Sequence, residues 1–449
     1  MNVFGSSGVR GVVGETLTPS FAVEIAQAAG AEFGADRAAI ARDTRRTGRM
    51  FVDSVATGLA SVGVDADRLG IVPTPGLQAY CEREGVPGVM VTASHNPPQY
   101  NGIKLIGADG VELTRDRLNS VEDRLDSAPS LASWDDTGET RLVDDAREHY
   151  REQVLAAVDR DRIAEADLTV AIDPGHGAGS LTNPELFRDL GCSVLTVNAQ
   201  PDGRFPGRDP EPVEPNLDDL KRLVRTTEAD IGIAHDGDAD RAIFVDETGA
   251  FVEGDAALAA LAAAELGPGD VAVSAVNASQ RLVDVVDAAG ADLRMTPIGS
   301  TNIITAIRDL QAEEASVPVA GEGNGGILFP DYRIARDGAY TAARFCELLS
   351  DRPVSDLVAE YDDYHNVRYN VDYADDDQRA AMLDAIEEQA RYAEADLDTT
   401  DGFRLDYGDA WVLARPSGTE PVIRVYAEAR ERDRAETLAE SMVEAVENA

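Results

Sequence analysis

Lysine is almost missing from this chain of 449 residues: Lys104 and Lys221 are its only two, and every other basic side chain is arginine. Cysteine is scarce as well. Cys81, Cys192 and Cys346 stand far apart, odd in number and without C-x-x-C spacing. That excludes a disulfide framework and a zinc module, and leaves reduced, buried thiols as the expectation. No run approaches the roughly 18–20 consecutive apolar residues that cross a bilayer. The chain opens straight into a glycine-rich motif, with no basic n-region or apolar h-region, so a cytoplasmic protein with no membrane partner is expected. Positive charge as a whole is short, 40 basic against 83 acidic residues, for a net charge of −43. Such a surface repels phosphates, which excludes nucleic acid and anionic membranes as partners. The acidic surplus runs along the whole chain with no single acidic tail, which argues against a disordered segment. It fits a halophilic protein in molar salt, where the Debye length shrinks to about 3 Å.

What is present is an alternation of strand-length apolar runs with amphipathic helical stretches, the pattern of an α/β protein with largely parallel sheets. The length is too great for one core and points to several domains. A first series comprises a helix at 21–34, a strand at 37–42, a helix at 47–62 and a strand at 88–92. A hairpin-like piece follows, with its turn at Gly107-Ala108-Asp109-Gly110. The acidic stretch 126–148 reads as an exposed connection into a helix at 144–158. A second series starts with a strand at 168–172 and ends near the turn Glu247-Thr248-Gly249. A third opens on the Ala-rich helix 255–265, has strands near 270–275 and 317–320, and closes with helices over 338–361. The last part differs: strand 366–373, helix 376–392, strands near 403–414 and 421–428, helix 431–447. The expectation is three similar mixed α/β domains plus a smaller C-terminal α+β domain, with boundaries 1–150, 151–253, 254–364 and 365–449.

Five motifs carry chemistry. Val-Thr-Ala-Ser-His-Asn-Pro-Pro at 91–98 places Ser94 just past a buried strand, and Pro97-Pro98 forbid a following helical turn. A serine there can also serve only to close the turn, and His95 only to bond the loop. Lys104 stands ten residues on. In a chain that has nearly eliminated lysine, a retained one invites a chemical reason, because arginine cannot lose its proton near neutral pH. Ala-His-Asp-Gly-Asp-Ala-Asp-Arg at 234–241 crowds Asp236, Asp238 and Asp240 into one loop, which is costly without a hard divalent cation. The spacing with Ile243 and Glu247 imitates a calcium loop, but Arg241 stands where that loop needs glycine, and the flanks read as strands. Gly-Glu-Gly-Asn-Gly-Gly at 321–326 offers Glu322 and Asn324 to sugar hydroxyls on a backbone that can approach closely, though a flexible turn has the same composition. Arg-Pro-Ser-Gly-Thr-Glu-Pro at 415–421, with Arg424, forms either a phosphate nest or an ordinary turn. Phe4-Gly-Ser-Ser-Gly-Val-Arg-Gly brings one cation, Arg10, to a glycine-rich loop.

In this order the motifs resemble the α-D-phosphohexomutase family: FGSSGVRG, TASHNP with YNGIK, DGDADR, GEGNGG and RPSGTEP. The segments at 201–217 and 336–338 are also similar to family segments, so the resemblance covers nearly the whole chain. It implies four domains around a central cleft and an interconversion of hexose 1- and 6-phosphates. Ser94 would be the phosphoserine, with a bound hexose 1,6-bisphosphate as intermediate and activator. Asp236, Asp238 and Asp240 would hold one Mg²⁺ per chain with an oxygen of phosphorylated Ser94. Arg10, His95, Lys104 and Arg241 would surround the transferring group. Glu322 and Asn324 would contact the sugar, and Arg415, Ser417, Gly418, Thr419 and Arg424 the distal phosphate. One departure stands out: many bacterial members carry Ser-Gly-His in the sugar loop, whereas Gly326 ends this one. No histidine lies between His235 and His365, so the proton acceptor falls to Lys104, His95 or another group. The Asn-Gly-Gly form resembles an archaeal branch of phosphoglucosamine mutases, with phosphomannomutase or phosphoglucomutase as the alternative. A phosphatase with Asp236 as nucleophile, or a metal- or sugar-phosphate-binding protein without turnover, would leave several of these segments unexplained. The expected partner is a small sugar phosphate, bound by a monomer or homodimer.

Overall fold

The computed structural model describes residues 3–5, 8–350, 352–361, 363–417 and 421–448. The first sheet contains β1 (Val9–Val12), β2 (Arg37–Arg42), β3 (Asp65–Ile71), β4 (Gly88–Val91), β5 (Tyr100–Ile106) and β6 (Thr140–Leu142). Their order is β1-β5-β4-β2-β3-β6. β2, β3, β4 and β6 run parallel, whereas β5 lies antiparallel to β4 and to β1. The turn expected at 107–110 follows β5, closed by Gly107 N donating to Val111 O at 2.7 Å. β6 lies inside the expected connection 126–148. All three of its residues are exposed, so it is held by backbone pairing to β3 and leaves no apolar signature.

Local chemistry explains the helices that flank this sheet. The helix Pro19–Phe33 starts where the Thr18 hydroxyl accepts from Phe21 N and Pro19 fills the first turn. It stops at Gly34 in the left-handed conformation. Its buried face is mostly alanine and meets the helix Gly48–Ser61 closely. A Cβ at Gly58 would lie 2.6 Å from the Ala26 Cβ, so only glycine permits that approach.

The second sheet contains β7 (Thr169–Asp173), β8 (Ser193–Thr196), β9 (Ile231–Ala234), β10 (Ile243–Val245) and β11 (Phe251–Val252), in the order β11-β10-β9-β7-β8. β9 is wholly buried, and β10 returns antiparallel to it. The aspartate loop therefore joins two strands. Glu247 is spent on Ser355, accepting its backbone N–H and its hydroxyl, so the calcium-loop imitation does not extend to the structure.

Next come β12 (Val271–Ala275), β13 (Asp292–Thr296) and β14 (Ala320–Glu322), parallel in the order β13-β12-β14. β15 (Gly326–Phe329) and β16 (Arg333–Arg336) pair antiparallel. The last sheet is antiparallel throughout: β17 (His365–Asp372), β18 (Asp396–Asp398), β19 (Phe403–Asp406), β20 (Ala410–Pro416) and β21 (Val422–Ala429), ordered β17-β21-β20-β19-β18. Helices Asp376–Tyr392 and Arg432–Glu447 pack against it, giving the expected α+β close.

Packing gathers the chain into two compact units: Met1–Ala257 with Asn324–Leu357, and Leu258–Gly323 with Val358–Ala449. In the second, buried Arg404 donates to the carbonyls of Val276 and Ala278, and Arg281 to those of Tyr361 and Tyr364. No helix among the described residues is long and apolar enough to cross a membrane. The three cysteines are free and buried.

Candidate active site

Two buried loops meet in the first unit. One leaves the carboxyl end of β4 and carries Ser94; the other leaves β9 and carries the aspartates. Both contain a non-glycine residue in the left-handed region, Ser94 at φ 50° and Ala239 at φ 55°. That conformation costs about 1–2 kcal/mol and persists only where the surroundings enforce it.

For the serine loop, the enforcer is Arg45, fully buried and unnoticed in the sequence. Its Nε donates to Asp43 Oδ2 at 2.9 Å, Nη1 to the carbonyls of Pro97 and Tyr100, and Nη2 to those of Ser94 and Asn96. All five guanidinium N–H groups are thus used. Thr92 Oγ1 donates to Asp43 and accepts from Ser94 N. Arg208 anchors the start of the aspartate loop to β7, donating to Asp173 Oδ2, the Asp173 carbonyl and the His235 carbonyl. The two loops touch: a Cβ at Gly237 would lie 2.6 Å from Ser94 O.

Ser94 Oγ donates to Asp236 Oδ2 at 2.6 Å. Lys104 Nζ, on β5, donates to Asp238 Oδ2 and Asp240 Oδ2, both at 2.9 Å. Thr74, opening the helix Thr74–Glu84, donates its hydroxyl to Asp238 Oδ2 at 2.5 Å. Arg336, at the end of β16, donates to Asp240 Oδ2 at 2.7 Å. Each aspartate therefore has Oδ2 tied down, while Asp236 Oδ1, Asp238 Oδ1 and Asp240 Oδ1 are buried with no hydrogen-bond partner among the described residues. One carboxylate oxygen from each of the three lies within 4.8 Å of the others. Three carboxylates brought this close, each with one orphaned oxygen, fit a hard divalent ion.

The charges around this cluster follow from burial and proximity. Burial, then Asp240 and Asp238, push the Asp236 carboxyl well above its ordinary range. Burial also works against ionised Asp238 and Asp240, but Lys104 for the first, and Arg336, Lys104 and Arg241 for the second, outweigh it and hold both low. Lys104 stays charged despite burial because Asp238, Asp240 and Glu112 raise it. Burial, with Arg241 and Arg10 beside it, drives His95 down to about 2. Its imidazole is therefore neutral, and Nδ1 accepts from Arg241 Nη2 at 3.1 Å. Arg10, on β1, donates to Asn96 Oδ1 at 3.1 Å.

Ser94, His95, Lys104, Arg10, Arg241 and the three aspartates are thus brought together. Asn324 belongs to the same unit, its Oδ1 accepting from Gly326 N, and the adjacent Gly325 carbonyl accepts from Ala242 N beside Arg241. Glu322, at the end of β14, belongs to the second unit, as do Arg415, Ser417 and Arg424. Arg415 and Arg424 are directly cross-strand partners, a pairing of like charges that costs energy unless an anion joins them. Arg415 pairs with Asp401 at 3.0 Å, and its Nε is buried with no hydrogen-bond partner among the described residues. Ser417 N donates to Val422 O. Gly418 and Thr419 lie outside the described residues. Arg45 and Arg336 were missed because, in a chain whose cations are nearly all arginine, a single arginine carries no signal, and Thr74 because its partner Asp238 lies 164 residues away. The Arg-Asp-Gly segment at 336–338 was the one available pointer.

Comparison with known proteins agrees along the whole chain. Models for the phosphoglucomutase/phosphomannomutase alpha/beta/alpha domains I, II and III match residues 1–131, 148–249 and 253–364, and that for the C-terminal domain matches 369–445. A probable phosphoglucosamine mutase of Methanopyrus kandleri is 41% identical, covering 99% of this chain and 97% of its own. A phosphoglucomutase/phosphomannomutase of Thermococcus kodakarensis is 39% identical, covering 100% and 99%. The crystal structure of a phosphoglucomutase/phosphomannomutase family protein from Burkholderia thailandensis superposes with a TM-score of 0.86 at 28% identity, covering 100% and 97%. Fold and site together define a phosphohexomutase, an isomerase that transfers phosphate intramolecularly. The chain belongs to the phosphoglucomutase/phosphomannomutase family, as its motifs led us to expect. The phosphatase and non-enzymatic readings find no support.

Proposed function

We propose that this phosphohexomutase interconverts hexose 1-phosphate and hexose 6-phosphate through phosphorylated Ser94, with glucosamine phosphate as its preferred substrate. The observation that carries the reading is Ser94 Oγ held against a triad of aspartates, each with one orphaned oxygen. Asp236, Asp238 and Asp240 would hold Mg²⁺, which suits an all-oxygen donor set and supplies positive charge to the transferring phosphoryl group when bound. Arg45 fixes the serine's backbone, so the hydroxyl is delivered in one orientation. Arg10 and Arg241 stand ready to pair with phosphoryl oxygens, and Lys104 adds a buried ammonium against Asp238 and Asp240. His95, kept neutral by burial and its two guanidinium neighbours, orients the group, and Lys104 and His95 are the two candidates for exchanging a proton with the sugar hydroxyl.

Glu322 and Asn324 would read the sugar, and Arg415, Ser417, Gly418, Thr419 and Arg424 the phosphate that does not react. A bound 1,6-bisphosphate must then present either phosphate to the same serine. We assign these roles to four domains at 1–150, 151–253, 254–364 and 365–449. Glucosamine is favoured by the Asn-Gly-Gly sugar loop and by the name carried by the Methanopyrus relative. Mannose or glucose phosphate is the second reading, favoured by that of the Thermococcus relative.

Intact mass and peptide mapping test the central step. A gain of about 80 Da on the Ser94 peptide is expected, lost on incubation with an excess of hexose monophosphate as the bisphosphate is released. Ser94→Ala should lower mutase turnover by at least about a thousandfold; unchanged turnover would end the phosphoserine reading. Turnover on glucosamine, mannose and glucose 1-phosphates, compared in molar salt, ranks the substrates.

A further inference from the structure

We propose that Arg336 is a positioning residue of the transfer centre, and that Gly326 is glycine because the stem of Arg336 occupies its side-chain space. The proposal rests on the metal-holding reading of the aspartate triad. Arg336 is buried, its Nη2 donating to Asp240 Oδ2 at 2.7 Å and standing 3.6 Å from Glu112 Oε1. Lys104 donates to the same Asp240 oxygen from the first sheet. Two cations on separate elements therefore fix the rotation of one carboxylate, and its other oxygen is buried and unpartnered among the described residues. The backbone beside Arg336 is anchored to the loop that the side chain reaches. Gly338 N donates to the Ala239 carbonyl at 3.2 Å, and Asp337 caps the helix Gly338–Glu347 by accepting from Ala339 N and Tyr340 N.

Gly326 begins β15, the strand that pairs with β16. A Cβ there would lie 2.7 Å from Arg336 Cδ and 3.0 Å from Asn324 Oδ1. A free arginine stem could swing away from such a methyl group. This one cannot do so without drawing its guanidinium off Asp240. Positions 326 and 336 are thus a matched pair, and the glycine keeps the arginine on the aspartate.

Partners that orient a metal's ligands typically change affinity or activity by about 10–100-fold when removed. Mn²⁺, followed by electron paramagnetic resonance, is the probe, titrated into full-length enzyme whose thermal melting has been checked. Asp240→Asn is the reference: if it leaves Mn²⁺ binding unchanged, the triad reading fails, and the inference with it. If it weakens binding, Arg336→Met should weaken Mn²⁺ binding and kcat by about tenfold or more. KM for the sugar phosphate should stay within about twofold. Arg336→Lys should recover part of the loss, since it restores charge without the fork. Gly326→Ala should show a smaller version of the same defect and add nothing in the Gly326→Ala/Arg336→Met double variant. Unchanged or tighter Mn²⁺ binding in Arg336→Met overturns the positioning role. Losses that multiply in the double variant overturn the pairing, and Gly326→Ala and Arg336→Lys decide the matter where Arg336→Met does not fold.

Discussion

Within the aspartate loop, neighbouring side chains have opposite electrostatic fates. Asp238 and Asp240 face Lys104 and are held ionised, whereas Asp236 faces the Ser94 hydroxyl and resists ionisation. His235, one residue before them, is wholly buried. Its Nδ1 bonds the Arg241 carbonyl at 2.7 Å, and its Nε2 has no hydrogen-bond partner among the described residues. Burial lowers it to about 4, against about 6.5 in an unfolded chain. A depressed histidine means that the unfolded state takes up the proton first. The stability it contributes is intact above about pH 6.5 and is lost as pH falls toward 4, roughly 3 kcal/mol over the full window. Chemical denaturation between about pH 7 and pH 5 should show a steeper loss for the wild type than for His235→Asn, whose amide can still donate to Arg241 O; parallel curves would refute this. Ser94 and the aspartates were legible because reactive groups were dense within a few residues. Lys104 was legible by rarity. Thr74, Arg45 and Arg336 act across folds of the chain, where sequence distance hides the contact.

At the scale of elements, two buried arginines hold the two reactive loops. Arg45 spans four carbonyls that would otherwise be orphaned, and it neutralises Asp43, whose carboxyl burial already pushes upward. Arg45→Lys keeps the charge but has too few donors for the fork, so at least one or two carbonyls lose their partner. Urea unfolding should show a loss of about 1–3 kcal/mol, and kcat should fall more than KM rises, because the serine is no longer delivered in one orientation. A variant as active as the wild type would make Arg45 a purely structural residue. Elements with a buried apolar face, such as the helix expected at 21–34, were readable in advance, whereas its start at Thr18-Pro19 was not read. β6 was not, because an exposed edge strand paired only through its backbone has no pattern to read. The third βα series looked continuous in sequence, yet packing assigns its stretches to both compact units, since contact density, unlike element order, is a property of the folded chain.

Across the whole molecule the governing fact is a net charge of −43. At low ionic strength that charge repels itself over tens of ångströms, and in molar salt the range falls to about 3 Å. Thermal unfolding in KCl raised from about 0.1 M to about 3 M should therefore show a steadily rising Tm, with the steepest gain at the low end. A Tm indifferent to salt would remove the halophilic reading.

The near-elimination of lysine leaves one more consequence. An amine-seeking reagent finds just two ε-amino groups in this chain. Lys221 is partly exposed on the helix Asp218–Thr227, but Lys104 is sealed between Asp238 and Asp240. Acylation at Lys104 can proceed only while that seal is open. The peptide bearing it thus acts as a built-in tell-tale for breathing of the reactive centre, with Lys221 as the internal standard.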